Sequence, residues 1–131
     1  MKKILTLICC TIVLAATSCK KEYVTTAPSA TTIFDTLPEF VLDNTNQSGS
    51  IHGYTSTLNV PEITDYYDNH GAVLVYLDND GTYEQLPNVY GGVTFRAEYG
   101  KGVLYIDAQN SDGTVPAQKP ATRKVKIVLV P

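Results

Sequence analysis

The chain has 131 residues, with 10 Lys plus Arg against 13 Asp plus Glu, 44% hydrophobic residues, nine Tyr and no Trp. That length accommodates one domain, and the composition excludes collagen-like, disulfide-rich and wholly disordered classes. A net charge of −3 argues against nucleic-acid binding, which needs a basic face to neutralise phosphates.

Met1-Lys2-Lys3 is a cationic start, Ile4 to Ala16 is an apolar run, and Thr17-Ser18-Cys19 follows. A membrane-spanning helix needs about 20 apolar residues, and Lys20-Lys21-Glu22 ends this run too early, so residues 1–18 read as a cleaved secretory signal. Ala16-Thr17-Ser18-Cys19 resembles the lipobox of bacterial lipoproteins, in which small residues precede a cysteine that receives a diacylglyceryl thioether and becomes the mature N-terminus. Ala16 stands where that family usually has Leu. The resemblance implies lipidation of Cys19, with membrane lipid as the partner of the acylated N-terminus. Cys9 and Cys10 lie inside the apolar run and leave with it, so no disulfide is expected in the mature chain. The mature start Cys19-Lys20-Lys21-Glu22 is similar to that of Bacteroidetes lipoproteins, which implies an outer-membrane location, periplasmic or surface-facing.

Residues 19–37 read as the lipidated cysteine and a tether rich in Thr, Ser and Pro, leaving 38–131 as the folded domain. Within that tether Asp35-Thr36-Leu37 resembles the Asp-Thr-apolar acceptor for O-glycosylation in Bacteroidetes, which makes Thr36 a candidate acceptor. The same triplet also suits the first turn of the domain.

Beyond residue 38 the periodicity is that of strands. Val93-Thr94-Phe95-Arg96-Ala97-Glu98-Tyr99 alternates apolar and polar, and Tyr54 to Val60 repeats the pattern. Ala72 to Leu77, Gly102 to Ile106 and Val125 to Val130 are runs rich in β-branched residues, expected to be buried on both faces. Phe40-Val41-Leu42 and Thr82 to Leu86 complete the set. One helical patch competes: Ile63, Tyr66 and Tyr67 stand at i, i+3 and i+4, with Gly71 placed to end it. Asp78-Asn79-Asp80-Gly81 reads as a hairpin turn and Asn110-Ser111-Asp112-Gly113 as the loop before the last strand. The expected fold is all-β: a single antiparallel β-sandwich of about seven strands, Ig-like or jelly-roll-like, with one short helical turn near 62–69. Ile63-Thr64 leading to Asp68-Asn69, then Gly71-Ala72-Val73-Leu74-Val75-Tyr76 and Gln85-Leu86-Pro87, resemble small Bacteroidetes lipoproteins of unknown function. That resemblance covers Val60 to Val130 and brings no catalytic residues with it.

Charge is segregated. No Lys or Arg falls between Lys21 and Arg96, while Arg96, Lys101, Lys119, Arg123, Lys124 and Lys126 crowd the end of the chain. These are expected to pair with the acidic half of the same domain. Asp78 to Gly81 fails the calcium-loop spacing, and His52 and His70 lack partners at zinc-site spacing, so no metal or cofactor is expected. There is no G-x-S-x-G and no phosphate loop, and no catalytic residue is assigned. The tyrosines remain. Tyr67 should pack inward with Ile63, whereas Tyr66, Tyr83 and Tyr90 lie beside loops and form the candidate binding patch. The expected function is non-enzymatic binding or surface assembly by a lipid-anchored envelope protein. The alternative is a glycan-binding module of a polysaccharide-uptake system; a small glycan hydrolase is disfavoured. An envelope protein or a glycan is the expected partner.

Overall fold

The computed structural model describes residues 29–43 and 53–131. The signal segment, Cys19 and residues 19–28 of the tether lie outside the described residues, as does His52. What is described is an all-β sandwich of two antiparallel sheets, with nine strands rather than about seven. The first strand is β1 (Thr31–Thr36), followed by the two-residue β2 (Val41–Leu42) and by β3 (Tyr54–Asn59). A one-turn helix α1 (Asp65–Asn69) leads to β4 (Ala72–Asn79), β5 (Thr82–Gln85) and β6 (Asn88–Tyr90). Then come β7 (Val93–Gly100), β8 (Val103–Asn110) and β9 (Lys124–Val130). One sheet has the order β1-β9-β4-β5 and the other β2-β3-β8-β7-β6, with every pair antiparallel.

Two strands were not expected. Thr31–Thr36 falls in the segment read as tether, yet it pairs along its whole length with β9. The reason is local: Thr, Ile and Phe favour extended backbone, and β9 would otherwise present an open row of backbone groups. Ile33 stands opposite Ile127, and Leu37, just past the strand, is buried in the core. The folded unit therefore includes Thr31–Thr36, ahead of residue 38. The second addition, β6, is a three-residue edge strand on β7.

The core lies between the inner faces. From the four-stranded sheet Val75, Leu77, Val125, Ile127 and Leu129 point inward; from the five-stranded sheet Leu58, Phe95, Leu104, Ile106 and Ala108 meet them. Val128 is the correction here: it is only half-buried, because β9 alternates and its even-numbered side chains face outward. Phe40, Ile63 and Tyr67 plug the ends. Ser56 is the one buried polar side chain among the described residues, and its hydroxyl donates to the Pro38 carbonyl at 2.7 Å.

The turns follow their chemistry. Asp80 and Gly81, both at positive φ (51° and 87°), make the two-residue β4–β5 hairpin, and the Asp78 carboxylate accepts the Gly81 N–H at 2.9 Å. Gly71 ends α1 for a different reason. A Cβ there would stand 2.6 Å from the Val130 carbonyl oxygen and 2.8 Å from the Tyr67 ring, so the helix can pass into β4 only through a residue without a side chain.

Candidate functional site

The three loop tyrosines do not form one patch. Tyr66 sits on α1 against Tyr67 and His70, at the end of the sandwich where β4 begins. Tyr83 lies opposite Asp78, near the other end of β4, about 20 Å along the strand from Ala72. Tyr90 is near Tyr83's end but turns inward: its ring packs edge-on to Phe95 at 5.6 Å, beneath the Arg123 guanidinium at 4.8 Å. Burial and the neighbouring Glu84 carboxylate push the Tyr90 phenol above its ordinary value. Tyr66 and Tyr90 both pack against the core, so neither is a free binding ring. Tyr67 is buried as expected, and its hydroxyl donates to the Ser29 carbonyl at 2.9 Å.

Tyr83 belongs to a group that proximity in sequence did not suggest. Register places Phe34, Lys126, Tyr76 and Gln85 in one row across all four strands, β1, β9, β4 and β5. Phe34 and Lys126 alternate with the inward residues Ile33 and Ile127, so this row faces outward. Tyr83, two residues before Gln85, is on the same face. Phe34 and Tyr83 stand on opposite edge strands, three strand spacings or roughly 14 Å apart at the backbone. Their rings nevertheless meet at 5.8 Å, inclined at 61°. They must therefore lean toward each other across the middle of the sheet. Under them the Lys126 ammonium lies 4.2 Å from the Tyr76 ring centre and 5.3 Å from that of Tyr83, within cation–π range. Phe34 remains 64% exposed, an unusual cost for a ring in mid-strand. Lys124 and Thr36, opposite each other one step along, complete this face. Thr36, the candidate acceptor, is exposed at the end of β1, and the Asp35 carboxylate accepts its backbone N–H at 2.7 Å.

The ion pairs single out the same face. The expected pairing across the chain occurs twice: Lys101 with Asp65 at 2.6 Å, and Lys119 with Glu39, whose carboxyl that lysine holds below its usual range. Arg96 pairs instead within the basic half, with Asp107 at 3.1 Å and Glu98 at 3.3 Å. Arg123 is taken up by the Tyr90 and Phe95 rings. Among the described residues Lys124 and Lys126 make no ion pair, and both belong to the aromatic face.

A second feature lies on the outer face of the five-stranded sheet, a hollow of about 640 Å³ bordered by Val41, Thr57, Tyr105 and Gln109. Its one cation, Arg96, is shared by two carboxylates: Asp107 accepts from the Thr55 hydroxyl at 2.7 Å and from Arg96 at 3.1 Å, and Glu98 pairs with that same arginine at 3.3 Å. Among the described residues no group of three or more His, Cys, Asp or Glu could hold a metal ion, and no helix is long and apolar enough to cross a membrane.

The class of molecule these observations define is a small antiparallel β-sandwich carrying an outward-facing aromatic and lysine face on its four-stranded sheet. Comparison with protein-family models, with curated proteins and with solved structures finds no match to this chain.

Proposed function

We propose that this chain is a lipid-anchored lipoprotein of the bacterial outer membrane whose sandwich is a non-enzymatic binding domain. Support for the lipid attachment is the arrangement Ala16-Thr17-Ser18-Cys19 after a 13-residue apolar run, with charge immediately following. Acyl chains on Cys19 would hold the domain at the membrane, since each buried CH₂ contributes about 0.8 kcal/mol and several chains together give stable anchoring. Residues 20–30 can span at most about 40 Å, which limits how far β1 stands from the lipid. Thr36 is proposed as an O-glycan acceptor on the resemblance of Asp35-Thr36-Leu37 alone.

The observation that carries the binding reading is the outward-facing row of Phe34, Lys126 and Tyr76 with Tyr83 beside it. Folding alone favours turning such rings inward, and here Phe34 lies 64% exposed over the sheet beside the half-buried Tyr76 and Tyr83. A glycan-binding module is the form of binding these rings suit best, because their faces can stack on sugar rings while the tyrosine hydroxyls and the Gln85 amide offer hydrogen bonds. Two substitutions separate the parts of the proposal. Cys19→Ala should move the protein from the detergent phase to the aqueous phase and abolish metabolic acyl labelling. Phe34→Ala should weaken envelope or glycan binding without changing the melting temperature. Unchanged partitioning would overturn the lipid attachment; unchanged binding would overturn the assignment of this face.

A further inference from the structure

We infer that the ligand of this face is an anionic glycan, one whose sugar rings carry carboxylates. The inference rests on the binding reading above and adds the ligand's chemical class. It starts from charge. The whole chain is acidic, and Arg96, Lys101 and Lys119 are each neutralised by a carboxylate of the domain. Among the described residues the two lysines without such a partner, Lys124 and Lys126, are two residues apart on β9 and so project from the same side of the sheet as Phe34, Tyr76 and Tyr83. Cations without a carboxylate partner, beside stacking rings, complement a ligand that offers both an apolar ring face and a negative group.

The geometry fits that combination. Phe34 and Tyr83 touch edge to face, inclined at 61°, and the Lys126 ammonium lies by the Tyr76 and Tyr83 rings. A sugar ring stacked on the exposed Phe34 would bring its carboxylate to the side of the sheet that carries Lys126 and Lys124. Thr36, opposite Lys124, and Gln85, at the far end of the Phe34 row, provide neutral donors at the margins. The strand carboxylate on the same face, Asp78, accepts the Gly81 N–H at the hairpin and makes no ion pair with Lys124 or Lys126. An uncharged glycan would leave both lysines without a carboxylate partner. A membrane surface would be met better by apolar side chains at a protruding loop than by rings laid down across the middle of a sheet.

The test uses the full lipidated chain in neutral detergent, run by affinity electrophoresis through gels containing polygalacturonate or the galactan made from it by carboxyl reduction. The expected result is retardation by polygalacturonate, little by the reduced polymer, and weakening as salt is raised across the range where exposed charges are screened. Phe34→Ala should weaken retardation about tenfold, as loss of a stacking ring does. Lys124→Gln, at an exposed side chain with no partner to lose, should weaken it several-fold and flatten the salt dependence. Equal retardation by both polymers, lost in Phe34→Ala, would overturn the carboxylate requirement and leave the binding face standing. Retardation by neither polymer would overturn the glycan class. Flotation with phosphatidylglycerol vesicles by a soluble Cys19→Ala variant, abolished by Lys124→Gln, would replace it with a membrane-docking face. Retardation unaffected by either substitution would show that the charge pair Lys20 and Lys21 or another surface is responsible, and would overturn both.

Discussion

Neighbouring residues on β9 should differ several-fold in what their truncation costs. Ile127 has no exposed surface and sits between Ile33 on β1 and Val75 on β4, in the layer shared with the other sheet. Ile127→Ala removes three buried carbons, about 0.8 kcal/mol each, and the fixed strands on either side would close the resulting space only in part. The sum is about 3–4 kcal/mol, a large share of the 5–15 kcal/mol typical of a domain. Val128→Ala removes two carbons from the outer face, beside Thr32 and Leu74, where water can enter and no enclosed space is left. It should cost less than about 1 kcal/mol. Urea unfolding followed by far-ultraviolet circular dichroism measures both, provided that the slopes agree between variants. If Val128→Ala costs as much as Ile127→Ala, both faces of β9 are buried and the outward-facing row that includes Lys126 does not exist as described.

Two more outcomes follow from particular contacts. Gly71→Ala forces a methyl against the Val130 carbonyl and the Tyr67 ring, and should destabilise by about 1–3 kcal/mol, read as a lower urea midpoint; no loss would mean that α1 does not close onto β9 as described. The Tyr90 phenol, raised by burial and by Glu84, holds its proton more tightly folded than unfolded, so its contribution to stability is complete below the unfolded value and is lost as pH rises through the higher folded one. Tyr90→Phe should remove the high-pH end of the phenolate absorbance titration and reduce the stability lost there; an unchanged titration would contradict the burial of that hydroxyl.

How much of this was readable in advance depends on the residues concerned. The alternation from Val93 to Tyr99 and the Asp80-Gly81 turn announce a strand and a hairpin because each is a local property of side-chain period and backbone φ. β1 was hidden by composition: Thr31 and Thr32 continue a Thr- and Pro-rich stretch, and only Ile33 among its residues turns appreciably inward. Its signal was there in the β-branched and aromatic run Thr-Thr-Ile-Phe, outweighed by the flanking prolines. β9 likewise carried its facing openly, since Lys124 and Lys126 alternate with Val125 and Ile127, although the last four apolar residues read as buried throughout.

The aromatic face could not be read in the same way. Phe34 and Tyr83 are remote in sequence, and Lys126 joins them only through the register of three strand pairs. The expectation that Tyr66, Tyr83 and Tyr90 would gather used closeness to loops, which says nothing about the side of a sheet a ring occupies. Tyr83 and Glu84, adjacent in β5, show this: one joins the outer face, and the other reaches Asn88 at 2.7 Å beside the inward Tyr90.

Mapping of backbone amide shifts on titration with polygalacturonate oligomers tests the central claim most directly. Perturbations should concentrate at Phe34, Tyr76, Tyr83, Gln85, Lys124 and Lys126, sparing Thr57, Tyr105 and Gln109 on the opposite sheet. Shifts confined to that opposite face, or no shifts at any concentration, would contradict it.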